Sequence, residues 1–337
     1  MQSEDGAAGE SALWQCIQIL MKKMNRLFAI ILLALTVNTV GAQNTKFGKP
    51  SKEEWELSSV SFAPDAEAVV LYKSVDVAYT ISGAFSALGS GGEGSLDDTP
   101  MAASGVNKYV SPEGTNMMYD VKVRTKILKD SGTGYAALDI LSFSDEKDMN
   151  MRDEFYEMSV VVLSNVDGKV KKRKVTNANI KDERIDRYYS MRHVRVPDVK
   201  AGDIIEYQYK LFSNRISYIY DTQLQESIPV LYSRCKMEIP YILQFNVNKP
   251  ENPNVSASVV LGQALIKSPN NDLQLPRKIA TNVYTIEGRN LPAYDGVIDL
   301  QNLSEGKVFC VRMTLMDKRY DVMPDVAGPV RHLIIGK

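Results

Sequence analysis

Apolar residues recur at every second position along most of the chain. In the run from Met117, Val121, Val123, Thr125 and Ile127 fall on one side and Lys122, Arg124 and Lys126 on the other. That is the pattern of a strand with one buried and one wet face. The same alternation places Ile205, Tyr207, Tyr209 and Leu211 inward, with Glu206, Gln208 and Lys210 outward. Shorter β runs are expected at 68–74, 75–81, 135–143, 156–164, 169–175, 244–248, 256–261, 282–287 and 308–315. Lys129-Asp130-Ser131-Gly132 is expected to turn the 117–127 strand back into 135–143. Asn165-Val166-Asp167-Gly168 closes a second hairpin, since Asp-Gly between β runs favours a tight reversal.

Helical periodicity is confined to one place. Ser51-Lys52-Glu53-Glu54 reads as a capping box opening a short helix through Trp55 and Leu57. Residues 83–114 are rich in Gly, Ser, Ala and Pro and read as a long loop, centred on 89–98. The segment 180–189 is ambiguous. Many short strands, punctuated by Pro and Gly about every ten residues, predict an all-β, mainly antiparallel fold. The expected form is a large β-sandwich with a short N-terminal helix and the long Gly/Ser-rich loop. Residues 196–240, cut by Pro197, Gly202, Pro229 and Pro240, are expected to form its central hairpin region.

The N-terminus follows a different pattern. Lys22, Lys23 and Arg26 precede an apolar run of 11 residues, Leu27 to Val37, and small residues lead to Ala42. This predicts a secretory signal peptide over 21–42, cleaved after Ala42. The run is shorter than the roughly 20 residues of a transmembrane helix. Residues 1–20 are read as a mis-called extension, with Met21 or Met24 the true start. The expected organisation is then a β-sandwich domain over 43–315 and an unassigned tail over 316–337. The expected location is exported, periplasmic or extracellular, in a bacterium of Gram-negative type, with no membrane anchor after cleavage.

Composition narrows the function. The 40 basic and 41 acidic residues give a net charge of −1, so no global field favours nucleic acid. The cluster KVKKRK at 169–174 reads as a protected edge strand. Cys235 and Cys310 remain in the mature chain and are expected as free thiols. Cys235 is expected to share an apolar face with Leu231, Met237 and Ile239. Two His and two unpaired Cys do not supply a zinc set, and Asp145-Glu146-Asp148 and Asp182-Glu183-Asp186 lack calcium-loop spacing. No metal or cofactor is expected. His193, between Arg192 and Arg195 in an extended run, reads as a surface or strand-paired side chain. The 17 Tyr suit half-buried strands and also a binding face. Tyr188, Tyr189, Tyr218 and Tyr220 are the candidate binding residues.

Six segments, in order, carry a resemblance: EEW at 53–55, PDAEAVVLY at 64–72, VRTKIL at 123–128, VDGKV at 166–170, VPDVKAGDIIEYQY at 196–209 and QESIPV at 225–230. Together they resemble an exported bacterial β-sandwich domain of unknown function that precedes transglutaminase-like cores. The resemblance implies a papain-like Cys-His-Asp partner core, C-terminal to the domain and not recognisable here. Cys310, His332 and Asp325 are the residues such a triad would draw on; Cys310 is expected mid-strand, where no helix N-terminus activates it, so no catalytic residue is expected. The expected function is a non-catalytic accessory or interaction domain, whose partner is a transglutaminase-like core or another exported protein or peptide. The alternatives are a stand-alone glycan- or peptide-binding sandwich and an inactive truncated remnant.

Overall fold

The structure is a computed structural model and describes residues 46–80, 116–148, 152–215, 218–241, 243, 245–248, 252–266, 277–294 and 310–315. The signal segment with Ala42, the Gly/Ser-rich loop, Asp325, His332 and the 316–337 tail lie outside these residues, as does the side chain of Cys310.

Helix α1, Lys52–Glu56, is the expected short helix. Ser51 Oγ accepts from the Glu54 N–H at 3.2 Å, and the Glu54 carboxylate accepts from the Ser51 N–H at 2.6 Å. All other long elements are strands. These are β1 Ala68–Thr80, β2 Asn116–Ile127, β3 Leu138–Phe143, β4 Asp153–Val166, β5 Lys169–Lys174, β6 Ile180–Arg184 and β7 Tyr189–Val194. They continue with β8 Ile204–Ser213, β9 Thr222–Gln223, β10 Val230–Pro240, β11 Phe245–Asn248, β12 Val255–Ile266, β13 Arg277–Leu291 and β14 Cys310–Leu315.

Eight strands form one sheet in the order β12-β13-β10-β1-β2-β8-β4-β5, and two three-stranded sheets run β11-β14-β9 and β3-β7-β6. One face of the large sheet contributes Val75, Val77, Tyr119, Val121, Val123, Tyr207, Tyr209, Cys235 and Met237 to the main core. Leu138, Ile140 and Val194 from the β3-β7-β6 sheet join the same core, as does Val311. The fold is therefore all-β and antiparallel-dominated, with sheets layered across a shared core in the manner of a sandwich.

Three expectations change. The runs 68–74 and 75–81 are one strand, β1, with a bulge between Val70 and Tyr72. The bulge inserts a residue and reverses which face the chain presents. Val69 and Leu71 accordingly pack on the outer side, while Val75 and Val77 pack in the main core. Residues 135–143 do not return onto β2. A 3-10 helix, Asp130–Ala136, redirects the chain, and β3 pairs with β7 instead. Within 196–240, β8 pairs with β2 and β4, whereas β10 runs parallel to β1. The segment supplies two non-adjacent strands of the large sheet, with the short β9 in another sheet between them in sequence, rather than a central hairpin. The β4–β5 hairpin does form, with Asp167 and Gly168 both at positive φ of 52° and 76°, the backbone a two-residue reversal needs.

The outer face of β2 is covered at Arg124 and Lys126, while Lys122 stays half-exposed. Residues 46–63 fold over it, and Phe47, Trp55, Leu57 and Phe62 pack around a second cluster of Val60, Val69, Leu71, Val161, Leu163 and Ile204. Leu231 belongs to this outer cluster, so it does not share the Cys235 face.

Candidate functional site

Three polar constellations are built into the interior, and a fourth lies on the surface. The first gathers all four candidate tyrosines around Phe143 and Arg215. Phe143 ends β3, and Tyr189 opens β7 directly opposite it. The Phe143 ring stacks on Tyr188 with centroids 6.2 Å apart and meets Tyr189 edge-on at 5.7 Å. The Arg215 guanidinium lies 3.9 Å from the Phe143 centroid, 4.7 Å from that of Tyr218 and 5.2 Å from that of Tyr220. Such cation–π contacts gain strength when desolvated.

A polar relay runs beneath the rings. Arg215 donates to the Tyr220 hydroxyl at 2.8 Å, and that hydroxyl donates to Asp153 Oδ2. The Phe143 N–H donates to the same carboxylate oxygen at 2.7 Å, and the Tyr119 hydroxyl oxygen accepts from the Tyr220 N–H at 3.2 Å. Burial pushes the Asp153 carboxyl up, against the pull of Arg215 and Tyr220. The Tyr220 hydroxyl is also pushed well up, first by burial and then by Asp153.

Tyr189 and Tyr220 are buried, whereas Tyr188 and Tyr218 are half-buried. The sequence thus named residues that do converge, but two of the four belong to the interior. Phe143, Asp153 and Arg215 were missed. Asp153 and Arg215 stand in charged and loop-like stretches, where no periodicity marks them as buried. Tyr220→Phe is expected to cost about 1–3 kcal/mol of stability, because it removes the bridge between a buried cation and a buried carboxyl. Chemical denaturation measures this, and a variant as stable as the parent contradicts the relay.

The second constellation is an ion pair in the main core. Lys73 of β1 and Glu226 of the segment after β9 are hydrogen-bonded to each other, at 1% and 4% exposure. Burial pushes the Glu226 carboxyl up, opposed by Lys73. The Tyr207 and Tyr209 hydroxyls are raised by burial and then by Glu226. Both hydroxyls are buried without a hydrogen-bond partner among the described residues, as is Ser233 Oγ. Tyr207 and Tyr209 are core residues, as the alternation implied.

The third lies under the N-terminal segment. Arg124, 1% exposed, donates to both Glu54 carboxylate oxygens at 2.9 and 2.8 Å, to Glu206 Oε1 at 2.9 Å and to the Lys46 carbonyl at 3.0 Å. The Gly48 N–H donates to Glu206 Oε2 at 2.5 Å. Lys126 donates to the carbonyls of Glu54 and Trp55 at 2.9 and 2.6 Å. Arg124, Lys126 and Glu206, expected on a solvated face, instead clasp residues 46–55 to the sheet.

On the surface, His193 is strand-paired and its two ring nitrogens are both engaged. Nδ1 lies 2.8 Å from Asp139 and Nε2 lies 3.0 Å from Glu183. Cys235 is buried and unbridged, with its thiol pushed up to about 12, chiefly by burial. A buried thiol of that kind is a poor nucleophile. A groove of about 160 Å³ is lined by Asp120, Lys122, Glu157, Gln208, Tyr209 and Lys210. Its charges are internally matched, Lys210 to Glu157 at 2.7 Å and Lys122 to Asp120 at 3.4 Å. It is smaller than the roughly 300 Å³ at which ligand pockets begin. Among the described residues no group of three or more His, Cys, Asp or Glu could hold a metal ion, and no helix is long and apolar enough to cross a membrane.

Residues 161–295 match a family described as a domain of unknown function with a solved structure, DUF3857. No curated protein matches the chain. Among solved structures, the chain is similar to a protein from Parabacteroides distasonis ATCC 8503 described as a proposed protease, with 14% identity and a TM-score of 0.45. The likeness covers 74% of this chain and 40% of that one, so this chain spans less than half the length of that protein.

Proposed function

We propose that the chain is a non-catalytic accessory domain of an exported transglutaminase-like protein, which scaffolds a catalytic core or presents a surface to it. One observation carries this reading. The described groups best suited to chemistry are committed to internal partners: Lys73 to Glu226, Arg215 and Asp153 to Tyr220, and His193 to two carboxylates. Such locked pairs fix the positions of strands rather than meet a substrate. The DUF3857 match and the six ordered segments support the association with a transglutaminase-like core.

The test uses the purified chain with peptide amide substrates and with glutamine–lysine cross-linking substrates, followed by titration with a purified papain-like core of the same family. No turnover and saturable binding to the core are expected. Turnover by the isolated chain ends this reading. A second reading, a glycan- or peptide-binding sandwich, is favoured by the half-buried Tyr188 and Tyr218 rings beside Arg215. Saturable binding of a glycan, lost in Tyr188→Ala and Tyr218→Ala, would establish it over the first.

A further inference from the structure

The two edges of the eight-stranded sheet are built in opposite ways. At one edge, β5 carries Lys169, Lys171, Lys172, Arg173 and Lys174 within six residues. Charge of this density keeps other strands from adding to an open edge. At the other edge, β12 reads VSASVVLGQALI over twelve residues and contains no ionisable side chain and no proline. Val259, Val260 and Leu261 are 58%, 58% and 76% exposed. Three consecutive residues in a strand point to alternate faces, so apolar surface is exposed on both sides of this edge. Among the described residues β13 is the sole strand paired with β12, which leaves its outer row of N–H and C=O groups unpaired. A long, uncharged, apolar edge is a template for strand addition.

The sequence of β12 also says what fits it. Read outward from Val260, it is symmetric in side-chain size with one exception. Val259 matches Leu261 and Ser258 matches Gly262, while Ala257 meets the longer Gln263; by sequence the match resumes with Ser256 and Ala264 and with Val255 and Leu265. An antiparallel pair related by a two-fold axis at Val260 sets every pair but Ala257 with Gln263 large against large or small against small. Val260 then faces its own copy, and large residues meet large residues on both sides of it. No charge opposes a charge across the junction, whereas a charged partner strand finds no counter-charge on β12. We propose that β12 is a self-association edge, at which a second copy of this chain adds antiparallel about Val260 and joins the two eight-stranded sheets into one. The interface is isologous, as closed two-fold dimers require.

The test uses the chain as purified from the exporting cell. Sedimentation velocity across a concentration series is expected to show a monomer–dimer equilibrium. Val260→Lys places two ammonium groups face to face on the axis and is expected to weaken the dimer by about fivefold, with the melting temperature unchanged at concentrations where both proteins are monomeric. Val260→Cys, in a Cys310→Ser background, is expected to give a disulfide-linked dimer on mild oxidation. Antiparallel partners have Cα atoms about 4.5 or 5.5 Å apart, and both values lie within the range a disulfide bridges. Cys235 does not compete, because it is buried. If Val260→Lys fails to fold, the cross-link alone decides. A chain that stays monomeric at every concentration overturns the proposal. So does a dimer that survives Val260→Lys and yields no Val260→Cys cross-link, since it must form through another face.

Discussion

Lys73→Met is expected to lower the unfolding free energy by about 3–5 kcal/mol, because it strands a buried carboxylate. Lys73 and Glu226 are both almost wholly excluded from solvent and are each other's hydrogen-bonded partner. Removing the cation leaves Glu226 buried within electrostatic reach of the Tyr207 and Tyr209 hydroxyls, which offer it no counter-charge. Met roughly fills the space of the Lys stem, so the loss is electrostatic rather than a cavity. The double variant Lys73→Met with Glu226→Met is expected to recover most of the stability, because replacing both ions with apolar groups removes the desolvation cost along with the attraction. Urea denaturation of the single and double variants checks this. A double variant as unstable as the single one contradicts it.

The same carboxyl gives the stability a pH dependence of definite sign. Asp153, Glu206 and Glu226 all lie above their ordinary values, in each case first because burial disfavours the ion. The folded state therefore holds these protons more tightly than the unfolded state. Stability then falls as pH rises from the unfolded values of 4.5 for Glu and 3.8 for Asp through the folded ones. Asp139 and Asp182 are lowered instead: at Asp139 burial pushes upward but the hydrogen bonds and charges of Arg195 and His193 together prevail, and the Arg192 hydrogen bond leads at Asp182. Their contribution is present above 3.8 and is lost as pH falls through their folded values. The two windows are separate, so the melting temperature is expected to peak in mild acid rather than at neutral pH. Lys73→Met is expected to be less damaging at that peak, where Glu226 takes up a proton.

Arg124→Met carries the second large effect, about 3–5 kcal/mol by the same logic of an unpaired buried carboxylate. Glu206 keeps the Gly48 N–H and Glu54 keeps the Ser51 N–H, but both lose their cation, and the Lys46 carbonyl loses the Arg124 donor. The consequence is local as well as global. Residues 46–55 remain attached through Lys126 and the outer apolar cluster, but the charged centre of the clasp is gone. Amide hydrogen exchange over 46–57 is expected to accelerate far more than exchange in β2 and β8. Uniform acceleration across the sheet would show that Arg124 supports the core and not the clasp.

Strand identity was legible in the sequence wherever one rule governed a segment. The alternation through Val121, Val123, Tyr207 and Tyr209 marks inward residues because period two is a property of the strand itself. The capping box at Ser51 and the Asp167-Gly168 reversal are equally local, each satisfied by backbone groups within a few residues. The Tyr188, Tyr189, Tyr218 and Tyr220 set was legible as a composition bias, and the chain does bring these rings together. What the pattern missed was the covering of the second face. Arg124, Lys126 and Glu206 have the polarity of a solvated surface, and nothing in their own strands announces that residues 46–63 fold across them. Likewise nothing in the sequence around Lys73 and Asp153 marks them as buried, because a buried charge is recognised by its partner and the partners, Glu226 and Tyr220, lie 153 and 67 residues away.

The alternating apolar pattern by itself determined that this chain is a β protein and which residues of most strands face inward. Backbone geometry makes that information local. Tertiary structure alone decided the parallel union of β1 with β10, the diversion of β3 into another sheet, the burial of three charged constellations and the exposure of β12. Each depends on which distant segment covers which face, and the single strand's pattern is the same whether its polar side meets water or a buried counter-charge.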